Sequence, residues 1–258
     1  MIRSTSNSQI KNIKLLQKKS RARRKQEAFI IEGIKMFEES RVEGNLIMSY
    51  LSETFYNKKK EDVNFFHNLP YKVVEDSVFK EITETSTPQG ILAIVKAPKY
   101  NLQDIIKSSN KLLLLEDIQD PGNLGTMVRT AEGAGFHGII LSKNSVDMLN
   151  PKVIRSTMGS IYRVPFIYVD DFQDTLHKIK KNNIKIYAAY LGGEYDYDQV
   201  DYPDKCAILI GNEGSGLQEQ TAEIADFYIK IPMKGQVESL NAGVAAAIIM
   251  YEARRKEG

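Results

Sequence analysis

The feature that most constrains this chain is a series of short, almost uninterrupted apolar runs in its second half, at residues 112–115, 138–141, 165–169, 184–191, 207–210 and 227–231. A strand without a polar face has no side to turn to water, so such runs belong in a sheet covered by helices on both faces. The segments between them supply those helices. Residues 123–134, 171–182 and 240–256 carry helical patterns, and a short helix follows Gly216. Asn150-Pro151 is a cap with proline at the first helical position, opening a helix to about residue 160. Strands alternating with helices are joined by crossovers, which make neighbouring strands parallel. The predicted class is α/β with a mostly parallel sheet.

The first half is built differently. Ile10, Ile13 and Leu16 fall on one face of a basic helix; residues 28–31, 46–51, 71–74 and 91–95 read as strands, and 33–40 and 76–82 as helices. This order predicts a small αβ sandwich. Thr87-Pro-Gln-Gly90 is a turn by composition. Residues 97–104 combine a proline with few core-type side chains and read as a linker, which places one domain at 1–100 and a second at 108–258.

The chain has 258 residues and 42% apolar content, enough for packed cores. No apolar run approaches the roughly 20 residues of a membrane-spanning helix, and the N-terminus lacks a signal peptide's apolar core, so a cytoplasmic location is expected. Cys206 sits inside an apolar run and reads as a small buried hydrophobe. His67, His137 and His177 show no ligand spacing, so no metal site is expected. Charge is nearly balanced, with 35 basic and 33 acidic residues, but it is unevenly distributed. Within residues 1–30 the basic side chains include Arg21, Arg23, Arg24 and Lys25, and Glu27 is the only acid. Such a run is either a solvated helix face with a linker or a patch that tracks nucleic-acid phosphates.

Three polar clusters stand where the apolar strands give way to a loop or helix. They are Asn123-Leu-Gly125-Thr-Met-Val-Arg129-Thr130, Gly211-Asn-Glu213-Gly-Ser-Gly216, and Ile231-Pro-Met233 followed by Ser239-Leu-Asn241. Taken singly, each reads as glycine turns and capping asparagines. Gly211 directly after a strand lets backbone approach a ligand, and Pro232 leaves its peptide nitrogen unable to pair. Arg129 follows Asn123 by six residues, nearly two helical turns, which is expected to keep both near one face. Gly133-Ala-Gly135-Phe-His-Gly138 matches a dinucleotide-binding pattern, but a predicted helix precedes it and a strand follows. The phosphate-binding version needs the opposite order, so the motif reads as a helix-ending turn.

Together, in this order and spacing, the clusters resemble the SpoU/TrmH-type RNA ribose methyltransferases of the SPOUT superfamily, over residues 112–256. The resemblance implies a deep trefoil knot made by the last helix, a homodimer, and an N-terminal module resembling ribosomal protein L30e. It implies that S-adenosyl-L-methionine is bound in a bent shape by Gly211, Ile231 and Leu240, with Asn212 and Met233 as neighbours. It also implies a reaction centre of Arg129, Asn123, Glu213, Ser239 and Asn241, acting on a ribose 2′-hydroxyl. Arg129 would be base or electrostatic stabiliser, Glu213 would orient it, Asn123 and Ser239 would position arginine, ribose or loop, and Asn241 would cap the last helix. Arg155 is open to RNA binding, to the subunit interface, or to a solvated helix charge. Two domains favour 23S ribosomal RNA as substrate. The alternatives are a transfer RNA 2′-O-methyltransferase and a non-catalytic RNA-binding or ribosome-assembly protein of the same fold.

Overall fold

In the computed structural model, which describes residues 1–255, the first half runs α1 (Ser8–Lys18), α2 (Ser20–Gln26), β1 (Ala28–Glu32), α3 (Ile34–Val42), β2 (Leu46–Ser52), α4 (Glu53–Lys59), α5 (Val63–Phe66), β3 (Tyr71–Val74), α6 (Asp76–Lys80) and β4 (Ile91–Lys96). The second half runs α7 (Leu102–Ser108), β5 (Lys111–Leu115), α8 (Pro121–Gly133), β6 (Gly138–Ser142), α9 (Pro151–Thr157), β7 (Phe166–Val169), α10 (Phe172–Lys181), β8 (Lys185–Ala189), β9 (Tyr195–Asp196), β10 (Cys206–Ile210), α11 (Glu219–Ala222), β11 (Phe227–Lys230) and α12 (Ala242–Arg254). Lys256, the predicted end of the last helix, lies outside the described residues. Two compact units result: Met1–Pro98 with Leu149–Tyr162, and Lys99–Met148 with the chain from Arg163 onward.

The first unit is a four-stranded sheet in the order β1-β4-β2-β3, with only the β2–β3 pair parallel. Side chains alternate across a strand, so Ala28 and Ile30 of β1 join Ile10, Ile13 and Leu16 of α1 in one cluster, while Phe29 and Ile31 are buried on the other face. Helices α4 and α5, absent from the sequence pattern, start at short polar caps: Ser52 Oγ accepts the Phe55 N–H at 3.1 Å, and Asp62 Oδ1 the Phe65 N–H at 3.0 Å. The turn at residues 87–90 ends at Gly90, whose φ of +83° and closeness to Phe55 and Ser52 admit no side chain: a Cβ there would lie 2.7 Å from Phe55 Cβ.

Segment 149–162 corrects the expected domain boundary. It lies in sequence within the second half but packs with the first unit, where Pro151, Val153, Ile154 and Thr157 are buried, α9 packs against β1, and Arg155 pairs with Glu84 at 2.9 Å. That ion pair occupies Arg155.

The second unit holds a seven-stranded sheet in the order β7-β6-β5-β10-β8-β11-β9, with every pair parallel. Leu112, Leu114 and Leu209 face a cluster that includes Leu176 and Ile179 of α10. Leu113, Leu115 and Ile208 are buried on the opposite face, where α12 packs on β10 and α8. Burying each such leucine contributes about 1.5–3 kcal/mol, which explains why the central runs, 112–115 and 207–210, carry no polar residue. Helix α7 begins inside the expected linker because Asn101 caps it, accepting the Gln103 N–H at 2.8 Å, and Ile105 and Ile106 are buried. The linker is therefore shorter than predicted. Helix α8 ends at Gly133, Gly135 sits at a φ of +72°, and β6 follows, so the glycine motif is a helix-ending turn.

Candidate active site

The sheet order places a switch point between β5 and β10: from β5 the chain moves outward to β6 and β7, and it returns on the other side with β8, β10 and β11. In open α/β sheets ligands bind beyond the carboxyl ends of strands at such a point. A cavity of about 430 Å³ opens to one side of that point, at the ends of β8, β10 and β11, a size typical of small-molecule sites. Gly211, Asn212, Ile231, Met233 and Leu240 all line it, and so do Glu213 and Ser239.

The loop after β10 closes on itself. Asn212 and Gly216 exchange backbone hydrogen bonds of 3.1 and 2.9 Å, and Asn212 Oδ1 accepts the N–H groups of Gly214 and Ser215 at 2.9 and 3.0 Å. The Asn212 amide is thus spent on the loop, and its Nδ2 donates to the Asp117 carbonyl at 2.8 Å. A Cβ on Gly211 would lie 2.4 Å from Gly216 C and Leu217 N. This backbone crossing by itself requires glycine at 211.

Glu213 ties the loop to the start of α8. Its Oε1 accepts the Asp120 N–H at 3.0 Å and Asn123 Nδ2 at 3.1 Å, and its Oε2 the Gln119 N–H at 3.0 Å. Asn123 Oδ1 accepts Asn241 Nδ2 at 2.8 Å. Asn241 in turn caps α12, its Oδ1 accepting the N–H groups of Gly243 and Val244 at 2.9 and 3.2 Å. One chain of side chains thus joins the three polar clusters.

Comparison with known proteins agrees with this geometry. A family model described as the SpoU rRNA Methylase family matches residues 110–251, and one described as an MRM3-like substrate binding domain matches residues 7–93. The chain belongs to the SpoU rRNA methylase family. It is 32% identical over 98% of its length, and 98% of the relative's, to the 23S rRNA (guanosine(2553)-2'-O)-methyltransferase RlmP of Bacillus subtilis. The 23S rRNA (guanosine-2'-O-)-methyltransferase RlmB of Neisseria meningitidis is 35% identical, covering 68% of this chain and 72% of its own. Among solved structures, an AdoMet-bound rRNA methyltransferase from Sinorhizobium meliloti superposes with a TM-score of 0.87 at 29% identity, covering 99% of this chain and 97% of that one.

Three expectations drawn from the sequence of this SpoU-family chain need correction. Glu213 does not orient Arg129: its carboxylate is engaged by Asn123 and the 119–120 backbone, and Arg129 is exposed, with no hydrogen bond or ion pair among the described residues. Nor do Asn123 and Arg129 share a face, since six residues at 3.6 per turn leave their side chains about 120° apart and about 9 Å apart along the axis. Arg23 is the third correction. It is only 3% exposed and donates to the Leu16 and Gln17 carbonyls at 2.6 and 2.9 Å, so it braces α1 instead of facing solvent. Arg21, Arg24 and Lys25 are exposed.

Burial pushes the Glu213 carboxyl up, but the hydrogen bonds from Gln119, Asn123 and Asp120 outweigh it and hold the group below its ordinary value. Glu116, which sequence reasoning passed over, behaves oppositely. It is 3% exposed at the end of β5, and burial raises its carboxyl despite hydrogen bonds from Thr221 and Gln218. The signal available was an acid directly following a fully apolar strand. Among the described residues no helix is long and apolar enough to cross a membrane, and no cluster of three His, Cys, Asp or Glu is placed to hold a metal.

Proposed function

We propose that this chain is an S-adenosyl-L-methionine-dependent methyltransferase that methylates a ribose 2′-hydroxyl of 23S ribosomal RNA. The observation that carries the reading is the hydrogen-bonded chain Asn241–Asn123–Glu213, which joins the cavity wall to the helix bearing Arg129. The residues present suit the cofactor. Ile231, Met233 and Leu240 give apolar walls for an adenosyl group, and Glu213 lines the same cavity while its carboxylate braces the start of α8. S-adenosyl-L-methionine, when bound, supplies the electrophilic methyl group. Gly211 and Asn212 shape the loop that holds it.

Arg129 is assigned to the RNA side. A guanidinium keeps its proton to beyond pH ~12, so its role is to clamp the neighbouring phosphate and stabilise the developing alkoxide. Asn123, Glu213 and Asn241 hold the rim, and Ser239 reaches the ribose or loop from the exposed lip. As the ribose oxygen takes the methyl group, the methyl–sulfur bond would break, the cofactor would leave as its neutral thioether, and the hydroxyl proton would pass to solvent water.

The same reading takes residues 1–100 as the RNA-gripping domain, through Arg21, Arg24 and Lys25, and residues 108–258, apart from segment 149–162, as the methyltransferase domain. It includes a trefoil at α12, a homodimer and a cytoplasmic site of action. The names of the relatives support ribosomal over transfer RNA. Calorimetry tests the cofactor assignment: S-adenosyl-L-methionine binds and a nicotinamide dinucleotide does not. Binding of neither would favour a non-catalytic RNA-binding protein.

A further inference from the structure

The loop that walls the cavity is pinned to the segment after β5 at both of its roots. At the first root Asn212 Nδ2 donates to the Asp117 carbonyl. At the second, Glu116 reaches across: its Oε2 accepts the Gln218 N–H at 2.9 Å and its Oε1 the Thr221 hydroxyl at 2.5 Å. Glu116 and Thr221 are 3% and 0% exposed. A carboxylate seated this deeply, with donors on both oxygens, makes charge-assisted bonds in a setting where water does not compete. Gly216 and Leu217, immediately before Gln218, line the cavity.

Asp117 continues the pin. It sits at a φ of +53°, held by Ser142 Oγ, which accepts its N–H at 2.8 Å and donates to its Oδ1 at 2.6 Å. The tip of β5 is therefore built to grip the 211–218 loop, while Glu213 grips the next residues of the same segment, 119–123.

We propose that Glu116 is a positioning residue of the methyl-transfer site: by fixing residues 218 and 221 it holds the backbone of 216 and 217 in the shape that binds the cofactor. This rests on the reading of the cavity as the S-adenosyl-L-methionine site. Glu116 does not line the cavity, so its effect falls on cofactor affinity and leaves the transfer step alone. Releasing the loop adds an ordering cost to every binding event.

The test is S-adenosyl-L-methionine binding by calorimetry, with steady-state methylation of 23S ribosomal RNA, in the full-length parent, Glu116→Ala, Glu116→Gln and Thr221→Val. Glu116→Ala should raise the cofactor Kd and KM about tenfold or more, since two buried charge-assisted bonds are lost. Its kcat at saturating cofactor and its KM for RNA should stay within about threefold of the parent. Glu116→Gln should recover most of the affinity, because its carbonyl still accepts from Gln218 and its amide can donate to the Thr221 oxygen. Thr221→Val, which removes one bond at nearly constant volume, should fall between them and keeps the test open if Glu116→Ala does not fold. A lowered melting temperature with unchanged cofactor Kd, or a Thr221→Val variant that binds as the parent does, overturns the assignment. A parent that binds no S-adenosyl-L-methionine overturns the underlying reading as well, and so the two failures are distinguishable.

Discussion

Arg129 is the residue on which the proposed chemistry turns, and its exposure, without a partner among the described residues, leaves its guanidinium free for RNA. Arg129→Ala should cut methyl transfer about a hundredfold to a thousandfold or more, the usual cost of losing a group aimed at developing charge. Affinity for S-adenosyl-L-methionine should stay within a few-fold; loss of cofactor binding would put the arginine in the wrong place. Glu213 and Glu116 make a second, opposite pair of expectations. Glu213 has a lowered carboxyl pKa, so its contribution to stability is present above its ordinary value of 4.5 and is lost as pH falls through the lower folded value. For Glu116 the pKa is raised, so its contribution is present below 4.5 and is lost as pH rises through the higher folded value. In urea titrations the deficit of Glu213→Gln relative to the parent should shrink on acidification, whereas Glu116→Gln should gain on the parent as pH rises above 4.5. Slopes of the same sign would mean that one of the two environments is wrongly described. The clustered residues were readable from the sequence because glycine, asparagine and acid at strand ends have few reasons to recur together. Arg23 was not, since within a run of basic residues nothing local tells the inward-turned arginine from its neighbours.

At the scale of elements, the loop at 211–217 shows where strand-end reasoning stops. Its glycine was recognisable, but the reason for it lies in a crossing with Gly216 and Leu217 that only the folded loop displays. Gly211→Val should therefore do more than block a ligand. The new side chain must displace backbone, so cofactor binding should be lost together with a fall in melting temperature, overpacking of this kind costing about 1–3 kcal/mol. Loss of binding with unchanged melting would return the glycine to a ligand-contact role. Helix α8 is a milder case. Its predicted start at Asn123 falls two residues late because Asp120 caps the helix, accepting the Asn123 N–H at 2.8 Å, with Pro121 behind it, a signal present in the sequence. The apolar strands of the second unit were located to within one residue at each end, except that 184–191, which proved to be Lys185–Ala189, overran by two, because burial on both faces leaves little room for polar residues. Strand β9, only Tyr195–Asp196, was beyond any periodicity argument.

Over the whole molecule, the division into two units was foreseeable from the change in pattern near residue 100, but the membership of 149–162 was not. Local signals announce a capped helix there; which core its Val153 and Ile154 enter is a long-range matter. The basic N-terminal segment carries the prediction for RNA. Reversing Arg21, Arg24 and Lys25 to glutamate should weaken RNA binding and reduce its logarithmic salt slope by about two to three, at roughly 0.7–0.9 for each phosphate no longer neutralised. Cofactor affinity should not change. Arg23→Ala should instead lower stability by about 1.5–3 kcal/mol through the loss of its main-chain bonds. An unchanged slope in the triple variant would make the segment a solvated surface. The most direct measurement is a map of ribose methylation in 23S ribosomal RNA from cells with and without the gene, read as resistance to alkaline cleavage, which requires a free 2′-hydroxyl. One nucleotide should be resistant only when the gene is present, should lose its resistance in cells carrying Arg129→Ala, and should have no counterpart on a DNA copy of the substrate, which lacks that hydroxyl. A methyl group on a base, or an unaltered map, would contradict ribose methylation outright.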